Sequence, residues 1–284
     1  MLRIGDDRMA SINMALLQLD TQDDKTANLN KIARMIDRAA EKGANFVAMP
    51  EMANYIGIGN GPYENAEDIP GGVTIDLFRE KAEKHRIWIH GGSIGERIKD
   101  EKRVYNTTVV IDPSGEIVAR YRKIHLYDVD VKDGVSFRES DSIKPGNDVV
   151  NFKSEFGIMG LAICYDIRFP ELFRSLALKG AKLIFNPAEF NLFTGKDHWE
   201  TLIRTRAIEN VCYMVAPGQF GLKKTFHTYG RSMVVDPWGN VIAMAGDREG
   251  IVMTEIDMDY VDRMREEIPC LKNRRPDAYD LDVK

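Results

Sequence analysis

The chain has 284 residues, a net charge of −5 and 44% apolar residues, which is typical of a globular protein built around a large core. No run of about 18 apolar residues occurs, so the sequence predicts no transmembrane helix. The mild negative charge is scattered along the chain and gives no reason to expect a nucleic-acid or membrane partner.

Cysteine usage and the N-terminal sequence favour a cytoplasmic protein. Cys164, Cys212 and Cys270 lack the spacing of a disulfide framework or a zinc site, which favours a reducing compartment. The N-terminal apolar stretch is interrupted by charges and lacks a small-residue cleavage pattern, so a signal peptide is not expected. We therefore predict a cytoplasmic location and no metal site.

Hydrophobic periodicity predicts alternating strands and helices in the first half of the chain. The predicted elements are a strand over 9–19, a helix over 28–43, a strand over 45–49, a helix over 74–85, a strand over 87–94 and a hairpin over 104–112 and 116–126. A loop over 54–72 is rich in glycine, asparagine and proline and is long enough to cover a site. A polar segment over 128–146 follows the hairpin.

The second half continues the same alternation. The predicted elements are a strand over 149–152, a strand over 158–164, a helix over 170–179, a strand over 182–186, a helix over 198–211, a strand over 212–216 and a hairpin over 231–245. An extended tail is predicted from about residue 271 to residue 284. We predict a single α/β domain over 1–284.

Two segments recur in the same order. KGANFVAMPE (42–51) resembles KGAKLIFNP (179–187), and DPSGEIVA (112–119) resembles DPWGNVIA (236–243). Such helix–strand junctions and turns are common by themselves, but the shared order favours two halves of similar structure. Strands with helices outside them, repeated twice, predict two sheets packed face to face under helical layers.

The stretch 157–174 contains a candidate nucleophile. Cys164 ends a predicted buried strand, and Pro170 stands where the first residue of a helix is expected. Helix N-termini and nearby cations lower the pKa of a thiol, and similar strand ends carry the nucleophile in other hydrolases. The alternative is that Cys164 fills a core position, as most free cysteines do.

Two further polar residues end or interrupt apolar strands. Glu51 follows the strand over 45–49, and Lys123 lies within 117–126. Taken singly, Glu51 is explained as a turn cap and Lys123 as a solvated strand residue. Together with Cys164 they supply a base, an oxyanion partner and a nucleophile for attack of sulfur on a carbonyl carbon.

Three segments carry a family resemblance. Pro50-Glu51, RKIHL (122–126) and CYDIRFPE (164–171) resemble the Glu–Lys–Cys signature of the nitrilase, or carbon–nitrogen hydrolase, superfamily. The resemblance covers nearly the whole chain and implies an α-β-β-α four-layer sandwich with two pseudo-symmetric halves. It also implies dimerisation through helices and the C-terminal segment.

The resemblance implies roles for individual residues. Glu51 is the expected general base, Lys123 the oxyanion partner, and Cys164 the nucleophile that forms a thioester acyl-enzyme. The segment FRES (137–140) is similar to one that supplies a second glutamate, which implies that Glu139 orients Lys123 and the substrate amine. We expect the backbone N–H of Tyr165 to be a second oxyanion donor.

Other segments indicate a branch of the superfamily. HLYDVD (125–130), FNLFTG (190–195) and the segment 229–239 are similar to the branch that contains omega-amidases and deaminated-glutathione amidases. That resemblance implies hydrolysis of the terminal carboxamide of a small acid. The predicted substrate-binding residues are Tyr55, Tyr165, Arg168, Glu189 and Phe190.

Two of these residues leave alternatives open. Arg168 either pairs with a substrate carboxylate or holds Asp166 or Glu171. Glu189 stands where members of this branch usually carry a small residue. A carboxylate there repels an acidic substrate or raises the pKa of a neighbour, so a neutral or amine-bearing amide is an alternative substrate.

The hypothesis is a cytoplasmic amidase without a cofactor, forming a homodimer or a larger homo-oligomer, whose loops over 54–72, 128–146 and 191–197 shape the pocket. N-carbamoyl hydrolysis and nitrile hydrolysis use the same catalytic set. A papain-like cysteine–histidine enzyme using His125 requires a different sequence around the cysteine. Alternatives from other classes are a catalytically silent dimeric binding module and a redox sensor at Cys164.

Overall fold

The structure of the chain is a computed structural model, which describes residues 11–132 and 136–280. Its first eight strands are β1 (Ile12–Gln18), β2 (Phe46–Ala48), β3 (Trp88–His90), β4 (Ile94–Arg97), β5 (Val104–Ile111), β6 (Ile117–Arg122), β7 (Asp128–Asp130) and β8 (Ser136–Arg138). The later strands are β9 (Asn151–Ser154), β10 (Gly157–Leu161), β11 (Leu183–Phe185), β12 (Tyr213–Ala216), β13 (Phe220–Leu222), β14 (His227–Tyr229), β15 (Met233–Val235), β16 (Val241–Met244) and β17 (Gly250–Ile256).

Within residues 11–132 and 136–280, six α-helices connect or flank these strands. They are α1 (Lys25–Glu41), α2 (Gly61–Glu64), α3 (Val73–His85), α4 (Pro170–Leu178), α5 (Leu192–Asn210) and α6 (Met258–Glu267). Two 3₁₀ helices, Glu139–Asp141 and Cys164–Arg168, carry predicted catalytic residues. In the described parts of the chain, no helix combines the length and the apolar character needed to cross a bilayer.

Two large sheets form the centre of the fold. The first has the order β17-β1-β2-β3-β5-β4, with β6 paired to β5, and the second has the order β16-β15-β12-β11-β10-β9. In each sheet three neighbouring strands are parallel, β1-β2-β3 in the first and β10-β11-β12 in the second. The carboxyl ends of parallel strands meet at one sheet edge, which is where the site residues of both halves emerge.

Alternation along the strands creates the layers. In β1, Met14 and Leu16 belong to the core shared with the second sheet, whereas Ala15 and Leu17 pack in the cluster that contains α1 and α3. The rings of Phe46 in β2 and Phe185 in β11 stack across the two sheets with centroids 5.2 Å apart. Helices α4 and α5 cover the outer face of the second sheet, which gives the α-β-β-α order.

The recurring segments fold alike. Each Asp-Pro-x-Gly turn joins two antiparallel strands, β5 to β6 and β15 to β16, and each hairpin has a register shift near the turn. The N–H of Asp112 donates to the Glu116 carbonyl at 3.0 Å, and that of Asp236 donates to the Asn240 carbonyl at 3.0 Å. This equivalence supports the interpretation of two related halves.

Several predicted boundaries are wrong. The strand predicted over 87–94 is two strands, β3 and β4, because Gly91 and Gly92 turn the chain between them. Helix α5 begins at Leu192, six residues before the predicted start, so most of the segment predicted as a loop over 191–197 is helical. The sequence analysis also missed β17 and α6, and part of the strand predicted over 9–19 lies outside the described residues.

The C-terminal segment from residue 271 contains turns through residue 280, with no helix or strand. Residues 281–284 of the predicted tail lie outside the described part of the chain. The single-domain assignment over 1–284 stays a prediction.

Candidate active site

One cavity of about 480 Å³ opens at the carboxyl ends of the parallel strands. All the predicted site residues line it: Glu51, Tyr55, Lys123, Glu139, Cys164, Tyr165, Arg168, Glu189 and Phe190. The wall also includes residues from the segments predicted over 54–72 and 128–146, such as Ile56 and Ile143. Residues far apart in sequence therefore converge on one small-molecule-sized space.

Cys164 is held in a conformation that few non-glycine residues adopt. The strand predicted to end at Cys164 ends at Leu161 instead, and after two intervening residues Cys164 begins a 3₁₀ helix with a φ of 47°, in the left-handed region. Its N–H donates to the Pro187 carbonyl at 2.8 Å, which ties the turn to the end of β11. This sharp turn directs the side chain into the cavity, where Cys164 is 9% exposed.

The buried carboxylate of Asp166 fixes the same turn. Its Oδ2 accepts hydrogen bonds from the Ile163 N–H at 2.8 Å and the Tyr121 hydroxyl at 2.6 Å. Its Oδ1 accepts from the His125 N–H at 3.1 Å and lies 2.7 Å from the ring nitrogen Nδ1 of His125. Asp166 thus connects the turn that carries Cys164 to the strand end that carries Lys123, and sequence reasoning did not find this link.

Lys123 lies between two carboxylates. Its Nζ is 3.0 Å from Glu51 Oε1 and 2.9 Å from both carboxylate oxygens of Glu139. Burial disfavours the charge of Lys123, but Glu139 and Glu51 outweigh burial and hold its pKa well above the ordinary value. Lys123 therefore stays an ammonium group at neutral pH.

Hydrogen bonds fix both carboxylates. Glu51 Oε1 accepts from the Asn106 side chain at 2.8 Å, and its Oε2 accepts from the Glu189 N–H at 2.7 Å. Glu139 Oε2 accepts from the Tyr127 N–H at 2.6 Å. Sequence reasoning missed Asn106, although an asparagine in a strand predicted to be buried is a signal that a polar partner lies opposite.

The local sequence gave a misleading expectation for the thiol. Burial raises the pKa of Cys164 well above its ordinary value, Glu51 raises it further, and Lys123 opposes both effects only in part. The expected lowering by a helix start and a cation is therefore wrong. A neutral thiol needs a base to remove its proton, and Glu51 is the carboxylate beside it.

Aromatic side chains and Arg168 form another part of the wall. The guanidinium of Arg168 lies 5.7 Å from the ring centroid of Tyr165 and 5.4 Å from that of Phe190. Its Nη2 lies 3.3 Å from His198 Nδ1. Since Asp166 is bound by other groups, the alternative in which Arg168 holds Asp166 is not supported.

Tyr55 is positioned by glycines that permit close packing. A Cβ atom on Gly57 would lie 2.2 Å from the Tyr55 hydroxyl oxygen, and one on Gly61 would lie 2.3 Å from it. The loop thus wraps around the phenol at the cavity wall. Thr225 and Phe226, in the turn between β13 and β14, also line the cavity, and the sequence analysis did not predict that hairpin.

Two alternative interpretations lose support from these contacts. His125, the histidine of the papain-like alternative, binds Asp166 and stacks on Phe169 with ring centroids 3.7 Å apart. Cys212 precedes β12, whereas Cys164 follows β10, and these strands lie parallel in one sheet. The two cysteines therefore lie towards opposite ends of the strands. This separation disfavours a redox sensor in which Cys212 forms a disulfide with Cys164.

Comparisons with known proteins identify relatives of the whole chain. The family model for carbon-nitrogen hydrolase matches residues 13–266. The omega-amidase NIT2 of Homo sapiens is 39% identical, covering 97% of this chain and 99% of that protein. The deaminated glutathione amidase of Synechocystis sp. is also 39% identical, covering 80% of this chain and 85% of that protein.

A solved structure gives the same result. The crystal structure of the C. elegans NitFhit protein matches with a TM-score of 0.90 at 38% identity, covering 96% of this chain and 67% of that one. The predicted family, its α/β sandwich and its hydrolytic chemistry on carbon–nitrogen bonds are confirmed, while the roles of single residues stay predictions. By sequence and by fold, this chain belongs to the carbon–nitrogen hydrolase family.

Proposed function

We propose that this protein hydrolyses the terminal carboxamide of a small, carboxylate-bearing molecule and releases ammonia without a cofactor. The observation that carries the proposal is one cavity that contains the Cys164 thiol, the Lys123 ammonium group and the Glu51 carboxylate, with Arg168 on its wall. Relatives named omega-amidase and deaminated glutathione amidase support the same class of substrate.

In the proposed acylation step, Cys164 Sγ attacks the amide carbon while Glu51 takes the thiol proton. The Lys123 ammonium group and the Tyr165 N–H stabilise the negative oxygen of the tetrahedral intermediate. Glu51 then gives the proton to the leaving nitrogen, so that the carbon–nitrogen bond breaks and ammonia departs. A thioester with Cys164 remains.

The proposed second step removes the acyl group. Glu51 takes a proton from water, whose oxygen attacks the thioester carbon, and the carbon–sulfur bond breaks. Glu51 gives this proton to Cys164 Sγ as the acid product leaves, which restores both the thiol and the Glu51 carboxylate. Glu139 is proposed to hold Lys123 in place, which the two 2.9 Å contacts between them support.

Ammonia release from a panel of compounds tests the proposal. The panel contains the ω-amide of 2-oxoglutarate, deaminated glutathione, glutamine, an N-carbamoyl amino acid and a simple nitrile, with Cys164→Ala as the blank. Turnover of at least one carboxylate-bearing amide that depends on Cys164 is expected. Silence on the whole panel, with a Cys164 thiol that resists alkylation, would favour the binding-module alternative.

Replacing Arg168 with glutamine tests the proposed carboxylate contact. A charge-assisted hydrogen bond contributes about 1.5–3 kcal/mol, so the preference for a carboxylate-bearing amide over a neutral amide of equal length should fall about 10- to 100-fold. Most of that change is expected in KM. Arg263→Gln, at an exposed guanidinium of α6, is the matched control. An equal loss on both substrates would contradict the assignment.

We also propose a cytoplasmic homodimer. Leu178, Ile208 and Ile268 lie at or near the C-terminal ends of α4, α5 and α6, Trp238 lies in the turn between β15 and β16 beside Ile208, and each is between 44% and 54% exposed. We propose that these apolar side chains contact a second copy. Ile208→Asp is expected to shift the mass in light scattering to that of a monomer. Val73→Asp, at a 62% exposed position of α3, should leave the dimer intact. A dimer that survives Ile208→Asp would locate the interface elsewhere.

A further inference from the structure

Glu189 is a carboxyl group in the cavity whose contacts the proposed mechanism does not explain. It follows β11, and Glu51 follows β2, the corresponding strand of the other half. The two residues meet, since the Glu189 N–H donates to Glu51 Oε2 at 2.7 Å. The half-buried side chain of Glu189 lines the cavity, and its buried Oε1 atom has no hydrogen-bond partner among the described residues.

The surroundings of Glu189 contain more acceptors than donors. Glu51 and Glu139 share the single ammonium group of Lys123, which leaves no cation there for a third carboxylate. Lys223 is the other nearby cation, but its Nζ lies 2.7 Å from Asp20 and 2.8 Å from the Phe220 carbonyl. A buried acceptor without a donor is unfavourable, so a ligand that supplies a donor is favoured here.

The remaining wall has the opposite character. Arg168 offers hydrogen-bond donors and a positive charge. No carboxylate among the described residues lies within salt-bridge distance of its guanidinium. The cavity is therefore polarised between Glu189 and Arg168. A ligand that matches both groups has a nitrogen donor at one position and a carboxylate at another.

Building on the proposed amidase function, we propose that Glu189 determines specificity by accepting a hydrogen bond from a substrate nitrogen. The preferred substrates are then small amides that carry a carboxylate and also an amino or ureido N–H. This class differs from the oxo-acid amides, whose keto oxygen brings no donor to Glu189. The two sources of the required nitrogen are ω-amides of amino acids such as glutamine, called amino-acid amides below, and N-carbamoyl amino acids.

The protonation state of Glu189 separates these two sources. Burial and the nearby Glu51 carboxylate raise its pKa to about 8; Lys223 and Lys123 oppose the rise, and Glu139 adds to it. Ionised Glu189 becomes more abundant as pH rises through 8, and it binds an ammonium group better than the neutral carboxyl does. The KM for an amino-acid amide should therefore fall between pH 7 and pH 8.5, whereas an uncharged ureido group gives no such fall.

The test compares the ratio of kcat/KM for each nitrogen-bearing substrate to that for an oxo-acid amide of the same length. In Glu189→Ala this ratio is expected to fall about 10- to 100-fold. The backbone N–H that binds Glu51 remains in this variant, so Glu51 keeps its position. Glu189→Gln retains an acceptor oxygen without charge and should preserve ureido selectivity while abolishing the pH dependence of KM for amino-acid amides.

Glu255→Ala, at an exposed carboxylate of β17, is the matched control and should leave the ratio unchanged. An unchanged ratio in Glu189→Ala, or an equal loss on all substrates, would overturn the specificity assignment. Either result is distinct from failure of the amidase function, in which the wild-type protein would hydrolyse none of the amides. Thermal unfolding of each variant confirms that the folded enzyme is compared.

Discussion

Replacing Cys164 with alanine is expected to lower kcat for amide hydrolysis by at least about 10⁴-fold, because loss of the nucleophile removes the covalent pathway entirely. The fold should persist, since the change removes one sulfur atom and Cys164 is at the edge of the cavity. Steady-state ammonia release gives the rate, and thermal unfolding gives the stability. Cys212→Ala removes another buried thiol far from the cavity and should retain activity.

A Glu51→Gln variant tests how the thiol is activated. Because burial holds the pKa of Cys164 well above its ordinary value, the thiol is protonated at neutral pH, and we expect Glu51 to remove its proton even in a simple alkylation. Iodoacetamide should therefore label Cys164 at least about 10-fold more slowly in Glu51→Gln than in the wild type at neutral pH. Rapid labelling that ignores Glu51 would indicate a free thiolate and contradict the proposed role of Glu51.

The sequence was most informative where a single reactive or charged residue stood next to a run of apolar residues. Glu51, Lys123 and Cys164 were predicted to end or interrupt apolar strands, and in the structure they follow the ends of β2, β6 and β10 and line one cavity. Recurrence of two segments predicted the paired halves, and the two Asp-Pro-x-Gly turns form equivalent hydrogen bonds. Periodicity and repetition are properties of the sequence itself, so they can be recognised without a structure.

Properties that depend on burial could not be predicted in the same way. The raised pKa of Cys164 arises from desolvation and from Glu51, a residue more than a hundred positions away. In the sequence, Asp166 has the character of an ordinary turn residue. In the structure, its carboxylate binds Tyr121, His125 and the Ile163 N–H. Which polar groups meet in the interior is decided by tertiary packing, and a single sequence does not encode those distances visibly.

The start of α5 shows a different limit. The segment 191–197 was predicted to be a loop, but Asn191 caps the helix by accepting the Phe193 N–H at 2.8 Å. Gly195 permits close packing, since a Cβ atom there would lie 2.5 Å from Tyr229 Cβ. A glycine in the first turn of α5 is thus explained by a contact with another part of the chain.

Lys123→Met is the second change with a large expected effect. It removes an oxyanion partner, which lowers kcat by about 10²- to 10³-fold, and it leaves Glu51 and Glu139 buried without their cation. Breaking a buried ion pair from one side costs about 3–5 kcal/mol, so the free energy of unfolding should also fall substantially. Ammonia release and denaturant unfolding measure the two effects separately.

A double variant distinguishes the catalytic role of Lys123 from its structural role. In Lys123→Met/Glu139→Gln one of the unpaired carboxylates is neutral, so part of the lost stability should return while activity stays low. If activity returned together with stability, Lys123 would act only by holding the fold. If stability did not recover, the ion pair with Glu139 would not be the source of the loss. Because Lys123 is 2% exposed and contacts both glutamates, recovery of stability without activity is the expected result.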